Sequence, residues 1–203
     1  MPRLLQRACV LAVALATPAL ASQAVSRGEV LAAIRTFESN ATANLTTSKA
    51  DAQIDQALAA ASATIVRFAL ESDDVVVDLG PAAVPWCDLR KGVAGVTGSG
   101  GRGLLLAAYL SGAVKAQLGA GRQDPNPYPG WVEMLRVYRV TKMREGIVVP
   151  EAEALLAKQM DGTLAAYAAD AERRSIEALR RTYGDNRSVA QSKADPGGLA
   201  SQP

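Results

Sequence analysis

Val30, Leu31, Ile34 and Phe37 recur three and four residues apart, the spacing that gathers side chains on one face of a helix. Ser26-Arg27-Gly28-Glu29 precedes them: a serine with a glutamate three residues on, the sequence form of a capping box. A first helix is therefore predicted over 28–39, followed by a polar loop over 40–44. A second stripe, Ile54, Leu58, Ala61, Ile65 and Phe68, predicts a longer helix over 49–72. Leu104-Leu105-Leu106-Ala107-Ala108-Tyr109-Leu110 and Val114 carry a third helix to about 118. Trp131, Leu135 and Tyr138, with Met134 and Val137 beside them, carry a fourth to 144, where Gly146 stops it. Pro150 suits the first position of a fifth, which uses Leu155, Leu156 and Met160. After Gly162, a sixth segment over 163–183 uses Leu164, Tyr167, Ile176 and Leu179.

Residues 73–88 break this rhythm. Val75-Val76-Val77 favours extended backbone through β-branching, and Gly80-Pro81 interrupts whatever precedes it. No second β-rich run of that strength offers a partner strand. The segment is expected to be an extended connector whose valines plug the core, with Pro85-Trp86-Cys87 packed beside them. With the glycine-rich stretch that follows, it makes an irregular connector near residues 73–103. The fold expected is all-α, with about six helices in antiparallel pairs forming a bundle or a small α-solenoid. No internal repeat accompanies it. The spacing from Trp131 to Leu135 is one residue too long for a tetratricopeptide helix, and no second copy follows.

The ends of the chain read differently. Arg3 and Arg7 precede an apolar run, Ala8 to Ala16, then Pro18 and the small-x-small pattern Ala19-Leu20-Ala21. That order is that of a cleavable signal peptide over 1–21, and the apolar run is too short for a membrane anchor. Residues 22–184 are expected to form a single helical domain, and the polar stretch 185–203, with Asp195-Pro196-Gly197-Gly198, a disordered tail. An exported chain, secreted or periplasmic, is the implied destination.

Removing the leader leaves equal numbers of basic and acidic residues, so the precursor's net charge is no argument for nucleic acid as a partner. Cys9 leaves with it, and Cys87 alone cannot form an intramolecular disulfide. A thiol between Trp86 and Asp88 reads as a small packed hydrophobe. The chain has no histidine. That excludes Ser-His-Asp and Cys-His nucleophile pairs, His-Glu-x-x-His zinc sites and axial haem histidines. No cofactor and no metal site is expected. Asp73, Asp74 and Asp78 lack the alternating ligands of an EF-hand, because three valines stand between them.

Two candidate features remain. Gly98-Ser99-Gly100-Gly101-Arg102-Gly103 matches G-x-G-x-x-G before a helix, yet no strand enters it and no βαβ unit surrounds it. Charge is also uneven: residues 22–88 hold 4 basic and 9 acidic side chains, and 89–123 hold 5 basic and none acidic. Arg90, Lys91, Gly100 and Arg102 are the candidate ligand-binding positions, as a basic face around the loop. The competing expectation is that Arg90, Lys91, Arg102, Lys115 and Arg122 pair with the acidic N-terminal helices. The function expected is a non-catalytic protein- or peptide-binding module. The alternative is an enzyme or carrier for an anionic or cell-wall-type small ligand.

Overall fold

A computed structural model describes residues 24–43, 52–87 and 101–192. The leader, Arg90, Lys91, Gly100 and the end of the tail lie outside the described residues. Six helices follow one another: α1 Arg27–Ala43, α2 Ala52–Glu71, α3 Arg102–Ala120, α4 Tyr128–Glu145, α5 Pro150–Met160 and α6 Leu164–Ser192. Among the described residues there is no strand, and the fold is the all-α bundle that the periodicity predicts. None of these helices is long and apolar enough to cross a membrane.

The capping box forms as read. The Ser26 amide donates to Glu29 Oε2 at 2.7 Å, and the Glu29 amide donates to Ser26 Oγ at 3.3 Å. Val30, Ile34, Phe37 and Ala41 then bury one face of α1. Ala41 explains why the helix outruns the expected loop: it stands four residues after Phe37 and continues the buried row, so residues 40–43 are helical. Ala61, Ile65, Phe68 and Ala69 of α2 supply the facing surface. Arg27, at the start of α1, grips Asp74, just beyond the end of α2, through two bonds of 2.6 and 2.7 Å. The two helices are thereby fixed antiparallel.

The second hairpin, α3 with α4, forms the centre of the domain. Leu105, Tyr109, Leu110, Val114, Trp131, Met134, Leu135 and Tyr138 are all nearly or wholly inaccessible. The two backbones approach closely at Gly112 and Gly130. A Cβ on Gly112 would stand 2.8 Å from Glu133 Cβ and closer still to the Pro129 carbonyl oxygen. On Gly130 it would run into the Tyr109 ring. Only glycine leaves room for this crossing.

Gly146, with φ of +66°, ends α4, and its amide donates to the Lys142 carbonyl. Pro150 opens α5 as expected. Leu164, Ala168 and Ala171 dock the first half of α6 against the body. This helix does not stop near Tyr183 but continues to Ser192. Gly184 costs about 1 kcal/mol relative to alanine inside a helix, too little to end one that is already nucleated and running. The part of the expected tail over 185–192 is therefore helical.

The glycines of α3 allow a paired test. Gly112→Ala is expected to lower stability by about 1–3 kcal/mol through overpacking. Gly119→Ala, whose added methyl meets nothing within 4 Å, should raise it by up to about 1 kcal/mol. Urea midpoints of the two variants check this. Equal shifts in the same direction would show that the helices are not held at backbone contact.

Candidate functional site

The connector after α2 runs extended through Val75, Val76 and Val77 with no neighbouring strand. Val75 and Val77 point into the core, 5% and 4% exposed, and Val76 points outward at 39%. The plugging role expected of the valines is thus carried by two of the three. Extended backbone at a core boundary still needs hydrogen-bond partners. Gln117 of α3 provides them. Its Nε2 donates to the Val76 carbonyl at 3.0 Å, and its Oε1 accepts the Val76 amide at 2.9 Å. One side-chain amide thus stands where a partner strand would be. The same oxygen accepts the Asp124 amide at 3.0 Å, which ties the α3–α4 turn to the connector.

Two further side chains hold the rest of the segment. Tyr109 Oη donates to the Asp78 carbonyl at 2.8 Å, and Trp131 Nε1 donates to the Ala83 carbonyl at 2.6 Å. Trp86 is fully buried with its ring edge-on to Tyr109. Cys87 is buried and free, so its thiol packs as a small hydrophobe. Burial pushes that thiol up to about 12, out of reach of thiolate chemistry at neutral pH. Pro85 is exposed, unlike its two neighbours.

Arg102, the described member of the candidate ligand set, opens α3 immediately after Gly101, whose φ of +70° requires glycine there. Its guanidinium donates to the Trp86 carbonyl and lies 3.8 Å from Glu151 Oε2 of α5. It serves as a brace between connector and α5. Lys115 pairs with Glu38 of α1 at 2.6 Å, and Arg122 with Asp124 at 3.2 Å. Each described cation of the basic stretch therefore faces a carboxylate of the same fold, and Lys115 does so with the acidic first helix, as charge balance suggested. Arg90, Lys91 and Gly100 lie outside the described residues. Among the described residues no three potential ligands gather to hold a metal ion. Asp74 is taken by Arg27, and Asp78 Oδ1 accepts the Gly80 amide at 2.7 Å.

A titratable cluster that the sequence did not signal joins α4 to α5. Tyr138 Oη donates to Glu153 Oε1 and accepts the Val149 amide at 3.1 Å. Lys142 Nζ reaches the same Glu153 oxygen at 2.6 Å. Lys142, then Tyr138, hold the Glu153 carboxyl below its ordinary value. The lysine is in turn raised by Glu153, and burial followed by the Glu153 bond raises the tyrosine. On the neighbouring surface Trp131 stacks on Tyr167, centroids 5.6 Å apart, and Lys158 Nζ sits 4.4 Å from the centre of the Tyr167 ring. These groups fasten α4, α5 and α6 together.

Met143, Val148 and Met160 are exposed apolar side chains around α4 and α5, Met160 against the expectation that α5 uses it, and α6 also carries uncovered apolar residues. Leu164, Ala168 and Ala171 are at most 3% exposed, whereas Ile176 is 38% and Leu179 53% exposed further along the same helix. Both residues were placed among the helical apolar positions by their spacing, but nothing in that spacing said that they would lack a cover.

The clasp makes stability dependent on pH with a definite sign. Glu153 titrates lower in the folded chain, so its contribution is complete above the ordinary glutamate value and is lost as pH falls through the depressed one. Glu153→Gln is expected to flatten part of the acid limb of a stability-against-pH curve from urea melts. Asp74, Asp161 and Asp170, also held low by their partners, should preserve the remainder. An acid limb unchanged by the substitution would remove the clasp from the account. Comparison of the chain with models of known protein families, with curated proteins and with solved structures returns no match.

Proposed function

We propose that this chain is an exported, non-catalytic helical module that binds another protein or a peptide along the second half of α6. The observation that carries the reading is the exposure of Ile176 and Leu179 on a helix whose first half is docked. Leu179 continues the row of Leu164, Ala168, Ala171 and Ser175 at spacings of three and four, so an apolar surface begins in the core and runs on beyond it. Apolar surface of this kind, rimmed by charge, marks interaction sites. The described ionisable groups elsewhere support the non-catalytic half of the reading. Arg102 is paired with Glu151, Lys142 with Glu153 and Lys115 with Glu38 as braces, and the Cys87 thiol is held protonated. The leader pattern over 1–21 supports export.

The test places a photo-crosslinking residue at position 179, and in a second chain at exposed Arg35, and expresses both with their leader. Adducts concentrated at 179 are expected, and the recovered protein should begin at Ser22 by mass. Equal labelling at both positions would overturn the docking surface, and retention of residues 1–21 would overturn export.

A further inference from the structure

We draw no further inference here: the strongest candidate, the exposed apolar patch of Ile176 and Leu179 on the second half of α6, belongs to the surface already described, and nothing in the structure shows what covers it.

Discussion

The close approach of α3 and α4 at Gly112 and Gly130 fixes the geometry on which the other contacts depend. With the helices at this separation, Tyr109 lies against the α4 backbone, and its hydroxyl points to the Asp78 carbonyl. Trp131 then meets Ala83 on one side and Tyr167 on the other. Wider spacing would move these donors away from a connector that has no strand to fall back on. Protein interiors transmit such shifts because they are packed as densely as organic crystals. The connector, the turn after α3 and the first half of α6 therefore depend on two residues that contribute no side chain.

The helices were legible because their apolar residues recur at a spacing of three and four, although Met160 of α5 shares that spacing and is exposed. Val30-Ile34-Phe37 and Ile65-Phe68 needed no further information. Ends marked by local chemistry were also legible: the Ser26–Glu29 box, Gly146 and Pro150 all act where the sequence puts them. Ends set by competition were not. Asn40-Ala41-Thr42-Ala43 has the composition of a loop, yet one more buried alanine keeps it helical. Gly184 has the appearance of a stop, yet the turns behind it carry the helix through.

The polar sites were less legible, for a physical reason. Gln117 is one of the chain's ordinary helix formers in sequence, and it acquires its role only because Val76 arrives from 41 residues away with an amide and a carbonyl to satisfy. Tyr138, Lys142 and Glu153 belong to two helices and become a cluster only when those helices pack together. Arg102 was visible as a cation, but its neighbours Trp86 and Glu151 were not. Long-range partners carry no periodicity. The exposed residues of α6 had the opposite fate: the apolar pattern was read, and the missing cover was a property of the assembled fold.

The length of α6 has a kinetic consequence. Its 29 residues extend about 43 Å, and an isolated segment of the exposed half alone would spend most of its time uncoiled, because the first helical turn is costly to form. Here the docked residues from Leu164 to Ala171 supply that first turn permanently. On the proposed reading, a partner landing on Ile176 and Leu179 would meet a surface already in shape, so little ordering cost would be deducted from the encounter. Its rate of capture is then governed by diffusion and orientation rather than by a folding step.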